Sequence, residues 1–415
     1  MIKRTLTDIL YKHLSAKEIS VIIGPRQVGK TTLMKYLIKE LNKQNQKTLF
    51  LNLDFEDDAR YFVSQQALIQ RLKLEFGSSQ GYCFIDEIQR KKDAGLFLKG
   101  IYDLDLPIKF VVSGSGSLEL KEQIHESLTG RKRIFELNPI SWTEFVDFKT
   151  DYKYSDKLEF FFEIEQPKIF ILLTEYLQFG GYPRVVLENT QIEKFNIINE
   201  IYRSYIEKDI AYLLKIEKIE TFSYLIKLLA NQVGQLVNHT ELSQTLGIAL
   251  PTLKNYLWFA EKTFVIKHLT PYFKNLRKEI TKSPVIYFYD LGLRNFAAGC
   301  FNNPLSIYDQ SFVFQNLILH LLDERFRYES NSLHFWRSKD QAEVDFIINL
   351  GEKIIPVEVK YKNFNKPEIE RSLKNFIIKY SPKKAFIINK NFFAQVKINN
   401  TEIYFLPFWQ INSIC

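Results

Sequence analysis

The residue types needed to hold a polyphosphate occur together near the start of the chain. They form the run Gly24, Pro25, Arg26, Gln27, Val28, Gly29, Lys30, Thr31 and Thr32. The two glycines let successive backbone N–H groups turn towards an anion, and the lysine adds a point charge for the β- and γ-phosphates. The hydroxyl of Thr31 is a suitable ligand for Mg²⁺. The spacing therefore predicts a P-loop that binds ATP together with Mg²⁺.

A pair of acids stands at the end of an apolar run further along the chain. Asp86 and Glu87 follow Gly81–Ile85, a segment typical of a buried strand. After a P-loop, this pattern predicts that Asp86 holds Mg²⁺ and that Glu87 positions and deprotonates the attacking water. Thr31 and Asp86 would then share the metal ion, and Glu87 would be the catalytic base.

Two further residues have a catalytic interpretation and a plainer alternative. Ser113 ends the apolar run Lys109–Val112, where it would sense the γ-phosphate or orient water. The alternative is a flexible polar turn. Arg131 lies in Thr129–Arg133 and is a candidate for stabilising charge on the transferring phosphoryl group, in its own site or in that of a neighbouring subunit. Its alternative is an exposed basic turn.

A second set of charged residues lies near the carboxyl end of the chain. Strands are expected at Ala342–Ile348 and Ile354–Lys360, joined by a hairpin turn. Alternation puts Glu358 and Lys360 on one face, and the hairpin would bring Asp345 close to them. Two carboxylates and a lysine in this arrangement would hold Mg²⁺ and steady a water or a phosphate, as in a metal-dependent nuclease. The alternative is a charged sheet surface.

The predicted P-loop and its partners require elements that bring them together. Apolar runs predict five strands, at Ile19–Ile23, Lys47–Leu53, Gly81–Ile85, Lys109–Ser113 and Arg131–Leu137. Strands that alternate with helices give a parallel sheet covered on both faces, with the nucleotide at the carboxyl ends of the strands. We therefore predict an α/β fold that begins with a parallel-sheet P-loop NTPase domain.

The remainder of the chain divides by pattern. The middle is helical and aromatic to about Glu261, and residues 240–257 have the outline of a helix-turn-helix followed by a basic run, Lys274–Lys278, that would be a wing. This unit would either read DNA or serve as a packing or regulatory module. We predict four parts: a P-loop ATPase domain over residues 1–140, a helical linker or lid over 141–230, a winged-helix-like domain over 231–295 and a small α/β nuclease-like domain over 296–415.

Composition limits the class of protein. The 415 residues are 46% apolar and carry a formal net charge of +8, which permits nucleic acid as a partner without requiring it, because the lysines are spread along the chain. Cys83, Cys300 and Cys415 have no metal or redox spacing, so a reduced, cytoplasmic setting is expected. Since neither a signal peptide nor a bilayer-spanning run is recognised, we expect no membrane partner.

Several runs of the sequence together resemble one known family. This family comprises bacterial and archaeal AAA-type P-loop ATPases of the STAND-related group, fused to a C-terminal domain of uncharacterised function. The resemblance covers nearly the whole chain. Besides the P-loop, it rests on Asp86–Gln89, Ser113–Ser115, Leu128–Arg131, Gly180–Pro183, Lys282–Pro284, Tyr287–Leu293, Glu343–Phe346 and Pro356–Lys360.

The resemblance implies an ATPase domain, a winged helix and a nuclease-like fold of the PD-(D/E)XK type. It also implies that a Gly-x-Pro element touches the nucleotide base, and Gly181, Tyr182 and Pro183 match that form. Folds of this nuclease type often carry a Glu on the helix before the sheet, whereas this chain has Gln315 there. We therefore expect the last domain to bind Mg²⁺ or nucleic-acid backbone and to cleave weakly or not at all.

The sequence as a whole predicts a Mg²⁺-dependent ATPase whose nucleotide state governs a DNA-linked or assembly task. Two alternatives stay open. One is a slow regulatory switch or scaffold that binds ATP and ADP and changes its protein partner or its homo-oligomeric state. The other is an ATP-regulated nuclease.

Overall fold

The described part of the chain forms three sheets joined and covered by helices. A computed structural model describes residues 2–115, 127–204, 219–273, 283–301, 307–327, 329 and 332–414. The strands are β1 (Ile19–Gly24), β2 (Thr48–Asn52), β3 (Gly81–Asp86), β4 (Ile108–Ser115), β5 (Lys132–Glu136), β6 (Ile266–Leu269), β7 (Val285–Phe288), β8 (Ser332–Arg337), β9 (Glu343–Asn349), β10 (Ile354–Lys360), β11 (Lys384–Asn389), β12 (Ala394–Ile398) and β13 (Thr401–Pro407).

The helices described are listed here in chain order. They are α1 (Thr5–His13), α2 (Lys30–Lys43), α3 (Glu56–Ala59), α4 (Gln65–Phe76), α5 (Ala94–Tyr102), α6 (Trp142–Lys149), α7 (Leu158–Ile164), α8 (Gln166–Phe179), α9 (Pro183–Leu187), α10 (Gln191–Tyr202), α11 (Ile219–Asn231), α12 (His239–Thr245), α13 (Leu250–Lys262), α14 (Leu291–Ala297), α15 (Ile307–Phe326) and α16 (Arg371–Tyr380). Among them, none is both long enough and apolar enough to cross a bilayer.

The first domain is built on five parallel strands in the order β2-β3-β4-β1-β5. All six residues of β1 are buried, as expected for a strand covered on both faces. Helix α2 packs on one face through Leu33, Leu37 and Leu41, whereas α4 and α5 contribute to a separate apolar cluster on the other. The predicted parallel-sheet α/β domain is confirmed. Its strands end at one edge, so the residues at or just beyond the carboxyl ends of β1, β3 and β4 meet there.

The middle of the chain is helical, with a small two-stranded sheet. Helices α12 and α13 are separated by a turn that contains Gly247, whose φ is 62°, and β6 pairs with β7 in antiparallel fashion. This arrangement is compatible with the predicted helix-turn-helix, which stays a prediction. The predicted basic wing, Lys274–Lys278, lies outside the described residues.

The third sheet has six strands in the order β12-β13-β11-β10-β9-β8 and is mixed. Strands β8, β9 and β10 form an antiparallel meander, whereas β10, β11 and β13 run parallel. The sequence predicted β9 and β10 but not β12 and β13. Strand β12 is a half-exposed edge strand that pairs only with β13 among the described residues, so it lacks the apolar run that identifies a buried strand.

Helix α15 joins the middle of the chain to the third sheet. The side chain of Asn316 accepts from the N–H of Phe288 at 2.9 Å and donates to its carbonyl at 3.0 Å, so it holds β7. The neighbouring Gln315 Nε2 donates to Asp345 Oδ1 in β9 at 2.8 Å. One buried apolar cluster runs through this contact and includes Phe135 and Phe314. The sheets are therefore joined by a continuous core.

Candidate functional site

The predicted P-loop connects β1 to α2 at the carboxyl edge of the first sheet. Gly29 has φ of 96° and precedes α2, a backbone conformation that only glycine adopts without strain. Gly24 has no room for a side chain, because a Cβ there would collide with the carbonyl oxygen of Leu137. The loop is therefore closely packed between β1 and the segment that follows β5.

The lysine of the loop is buried and folded back onto it. Lys30 Nζ donates to the carbonyl oxygens of Gly24 at 2.9 Å and Pro25 at 2.8 Å. Burial lowers the pKa of Lys30 to about 8, and the charge of Arg26 acts in the same direction, while Glu87 and Asp86 oppose it. A phosphate would supply the negative charge that this ammonium group lacks.

Three oxygen-bearing side chains converge beside the loop. Thr31 Oγ1 donates to Asp86 Oδ2 at 2.6 Å, and Ser113 Oγ donates to Asp86 Oδ1. Asp86 is only 1% exposed. The structure thus brings Thr31, Asp86 and Ser113 together from α2, β3 and β4. A hydroxyl next to a carboxylate is a donor set that suits Mg²⁺, so these residues fit the predicted metal.

Glu87, the predicted catalytic base, directly follows Asp86. It has φ of 56°, in the left-handed region that non-glycine residues rarely adopt, and it lines the same cavity as the P-loop. Its Oε2 accepts a hydrogen bond from Gln89 Nε2. A non-glycine residue in this region is strained, and such strain is often found at functional sites.

The cavity has a volume of about 550 Å³, within the range of small-molecule sites. The P-loop forms its floor from Arg26 to Thr32, and Pro183 and Arg184 of α9 form part of its wall. Of the predicted Gly-x-Pro element, Pro183 therefore faces the cavity. Tyr182 does not line it, because its side chain is 1% exposed and packs in the apolar core.

Arg131 lies at the opposite edge of the sheet. Its carbonyl accepts from the N–H of Ile19, where β1 begins, whereas the P-loop follows the end of that strand. A strand of six residues spans about 20 Å, so Arg131 cannot contact a phosphate held by its own P-loop. Its guanidinium instead pairs with Asp103 at 2.8 Å. This position corrects the prediction for the chain's own site and agrees with an exposed basic turn; a role in a neighbouring subunit stays a prediction.

The three predicted charged residues of the third sheet, Asp345, Glu358 and Lys360, share one face. The register that pairs Val357 with Phe346 sets Glu358 opposite Asp345 across β9 and β10. Lys360 Nζ lies 2.8 Å from Glu358 Oε1 and 2.8 Å from Glu370 Oε1. Asp345 and Glu358 therefore lie on the same face of the sheet.

Burial governs the charge of this cluster. It raises the pKa of Asp345 to about 7 and that of Glu358 to about 8, and the proximity of Asp345 contributes to the latter. Asp345 accepts from Gln315 and from the N–H of Val359 at 2.7 Å, whereas Glu358 Oε2 is buried without a hydrogen-bond partner. Among the described residues, no group of three or more His, Cys, Asp or Glu side chains is arranged to hold a metal ion.

Family models match three stretches of the chain. Residues 16–146 match the AAA domain. Residues 171–303 match a domain of unknown function, DUF8612, and residues 310–411 match another, DUF4143. The match to the AAA domain supports nucleotide binding and hydrolysis by the first domain.

Proteins of similar sequence align with most of the chain. An uncharacterized protein of Haemophilus influenzae is 27% identical over 411 residues, which cover 94% of each chain. One of Methanocaldococcus jannaschii is 26% identical over 97% of this chain and 90% of its own. One of Mycobacterium tuberculosis is 26% identical over 91% of this chain and 77% of its own. The similarity therefore extends well beyond the AAA domain.

Solved structures align only loosely. The replication initiator DnaA bound to AMPPCP and single-stranded DNA gives a TM-score of 0.33 at 14% identity, covering 63% of this chain and 90% of that one. A katanin self-assembly structure gives 0.26 at 15% identity, covering 36% and 57%. Both scores are low, so the function is inferred from the site itself.

Two of the arginines that border the AAA-domain cavity and that the sequence did not predict also contact the P-loop. Arg4 Nη1 donates to the carbonyl of Val28 in the P-loop at 3.0 Å, and its Nε pairs with Glu144 at 2.9 Å. Arg184 Nη1 donates to Gln27 Oε1 at 3.3 Å. Neither arginine belongs to a recognisable spacing with the P-loop, so only the tertiary structure reveals them.

Proposed function

We propose that this chain is a Mg²⁺-dependent ATPase whose nucleotide state governs a DNA-linked or assembly task. The observation that carries the proposal is the meeting of Lys30, the Thr31–Asp86 pair and Glu87 around one cavity of about 550 Å³. These are the parts that phosphoryl transfer needs: a cation for the phosphates, oxygen ligands for the metal and a base for water.

Each side chain has a definite task in this proposal. Lys30 binds the β- and γ-phosphates, and the P-loop N–H groups orient them. Thr31 and Asp86 would hold Mg²⁺, which neutralises charge on the phosphates. Glu87 accepts the proton of the attacking water, and Ser113, through its hydrogen bond to Asp86, fixes the orientation of that carboxylate.

The test is steady-state hydrolysis of ATP by the full chain with Mg²⁺, with and without single- and double-stranded DNA. Hydrolysis that depends on Mg²⁺ and rises with DNA would support a DNA-linked ATPase. Hydrolysis unaffected by DNA would favour an assembly task. Turnover below about one event per minute, far under the ordinary range of enzymes, would favour the slow switch, and failure to bind ATP would refute the proposal.

A second candidate function is supported by the cluster of Asp345, Glu358 and Lys360. Glu358 Oε2 is buried and unpartnered, an arrangement that is costly unless a cation or a donor completes it. We infer that this nuclease-like site binds Mg²⁺ or nucleic-acid backbone. Because Gln315 offers a neutral amide to Asp345 where a third carboxylate would help to hold a metal, cleavage is expected to be weak or absent.

Cleavage of plasmid and single-stranded DNA with Mg²⁺ or Mn²⁺ tests this candidate. Wild type is compared with Asp345→Ala and with Lys360→Ala, and Lys362→Ala is the matched control because Lys362 pairs with Glu368 outside the cluster. Cleavage that is lost in the first two variants and kept in the control would make the chain an ATP-regulated nuclease. The division into a lid, a winged-helix-like and a nuclease-like part belongs to the same proposal.

A further inference from the structure

Two short sequence motifs far apart in the chain meet at one buried joint. Gly180–Pro183 follows α8 and begins α9, and Asp290–Gly292 follows β7 and begins α14. Asp290 Oδ2 accepts from the N–H of Gly181 at 2.7 Å, although 109 residues separate them in sequence. Neither motif has a task in the hydrolytic chemistry described above, so their contact needs its own explanation.

Asp290 is held almost entirely by backbone N–H groups. Its Oδ1 accepts from the N–H of Leu293 at 2.8 Å, and the N–H of Gly292 also bonds to the carboxylate. The side chain is 4% exposed. Burial raises the pKa of Asp290 to about 6, and these hydrogen bonds oppose that shift. The carboxylate is thus removed from water, and its hydrogen bonds hold the backbone at Gly181 and at the start of α14 in place.

The glycines of the joint leave no space for a side chain. A Cβ at Gly180 would lie 2.5 Å from Asp290 Oδ2 and 2.5 Å from the backbone nitrogen of Gly292. At Gly181 it would collide with the carbonyl oxygen of Ile140, whose N–H donates to the carbonyl of Gly181 at 2.7 Å. The joint therefore ties three backbone segments together at close range.

The joint leads directly into the wall of the nucleotide cavity. Two residues after Gly181 the chain enters α9, whose Pro183 and Arg184 line the cavity together with Ile140. Arg184 also reaches Gln27 of the P-loop. We propose that Asp290 is a positioning residue of the nucleotide site, which holds the Gly180–Gly181 turn so that α9 presents Pro183 and Arg184 to the nucleotide.

This inference rests on nucleotide binding by the cavity, and it goes further by giving a residue of the distant β7–α14 segment a part in that binding. Loss of the joint should leave Lys30, Thr31, Asp86 and Glu87 in place. It should therefore raise KM for ATP more than it lowers kcat.

The first experiment compares alanine variants of two glycines that have the same positive φ. Gly180 and Gly299 both have φ of 72°, but a Cβ at Gly299 meets nothing within 4 Å. With Mg²⁺-ADP as the probe, Gly180→Ala should bind at least about tenfold more weakly, as expected for the loss of a charge-assisted hydrogen bond. Gly299→Ala should bind as wild type does. Equal affinity of both variants would overturn the proposal.

Asp290→Asn tests the carboxylate itself, because the amide replaces one acceptor oxygen by a donor. It should also weaken Mg²⁺-ADP binding by at least about tenfold and raise KM. A drop in kcat at unchanged KM and unchanged affinity would contradict a positioning role.

A measurement on the wild-type chain does not depend on the folding of any variant. Hydrogen exchange with and without Mg²⁺-ADP should show slower exchange at Gly181 and also at Leu293, because both amides donate to Asp290. Protection of the P-loop without any change at Leu293 would refute the inference while leaving the nucleotide site intact. Absence of Mg²⁺-ADP binding by the wild type would instead refute the proposed function.

Discussion

The affinity for ADP should fall steeply above pH 8, because the P-loop lysine begins to lose its proton there. Lys30 is buried beside the carbonyls of Gly24 and Pro25, and its pKa is lowered to about 8. Only the ammonium form attracts a phosphate, so binding requires the protonated lysine. A bound phosphate would raise this pKa again, which means that affinity decreases as pH rises through the pKa of the free protein.

The size of the effect follows from that pKa. With a pKa of about 8, the protonated fraction of Lys30 falls from about nine-tenths at pH 7 to about one-tenth at pH 9. The affinity should therefore drop about tenfold, or about 1.4 kcal/mol. A lysine with an ordinary pKa near 10.4 would lose only about 4% of its charged form over the same range.

The assay is equilibrium binding of Mg²⁺-ADP at pH 7, 8 and 9 at constant ionic strength. Two variants sharpen it. Glu87→Gln removes a carboxylate that raises the pKa of Lys30, so the decline should begin at a lower pH. Lys109→Gln is the control, because burial also lowers the pKa of Lys109 to about 8. Its ammonium group, however, donates to the backbone carbonyls of Ala16 and Glu18 at the opposite edge of the sheet.

A change of less than about twofold between pH 7 and pH 9 would refute the reasoning, since one unit of pKa corresponds to a tenfold change. So would a decline that disappears in Lys109→Gln. An unchanged midpoint in Glu87→Gln would show that the Glu87 charge does not act on the lysine.

Three further predictions concern the catalytic base, the distant arginine and the buried carboxylates. Lys30→Ala should abolish nucleotide binding, whereas Glu87→Gln should keep ATP bound and lower kcat at least about a hundredfold; hydrolysis at the wild-type rate would disprove the role of Glu87. Arg131→Ala should leave kcat and affinity unchanged in dilute protein, and a loss of activity that appears only at high protein concentration would assign Arg131 to a neighbouring subunit's site. For Asp345→Asn, urea unfolding with a chelator is measured at pH 5 and pH 8. Because burial raises the pKa values of Asp345 and Glu358 to about 7 and about 8, the native wild type binds more protons than the unfolded chain over this window, so its unfolding free energy falls as pH rises. In Asp345→Asn the unfolding free energy should fall less between pH 5 and pH 8 than in the wild type. The same fall in both proteins would contradict this prediction.

Much of the first domain could be predicted from sequence, because its signals are local. An apolar strand, a glycine-rich loop and a helical pattern lie next to one another around Lys30, and Asp86 directly follows its own strand. Parallel strands bring their carboxyl ends to one edge, so the meeting of Thr31, Asp86 and Ser113 follows from topology alone. The same rule would have excluded Arg131 from the chain's own site, because Arg131 precedes β5 and so lies at the amino edge of the sheet.

The parts that sequence could not predict depend on contacts between distant segments. Arg4 forms a hydrogen bond with the carbonyl of Val28 and an ion pair with Glu144, and no spacing in the sequence predicts either contact. Tyr182 belongs to a motif expected to touch the nucleotide. Its ring is instead buried in the apolar core, and Pro183 faces the cavity. In the third sheet, alternation gave the shared face of Glu358 and Lys360, but the pairing with Asp345 required the register of β9 on β10.

Two neighbouring side-chain amides on α15 connect the two-stranded sheet to the C-terminal sheet. Asn316 hydrogen-bonds to the N–H and the carbonyl of Phe288 in β7, while Gln315 hydrogen-bonds to Asp345 in the C-terminal sheet. Because Gln315 and Asn316 are adjacent on one rigid helix, a small hinge motion cannot break the hydrogen bonds of one residue without straining those of the other. The two-stranded sheet and the C-terminal sheet are thereby expected to open as a single cooperative unit, and a mutation in either one would be felt as lost stability in both.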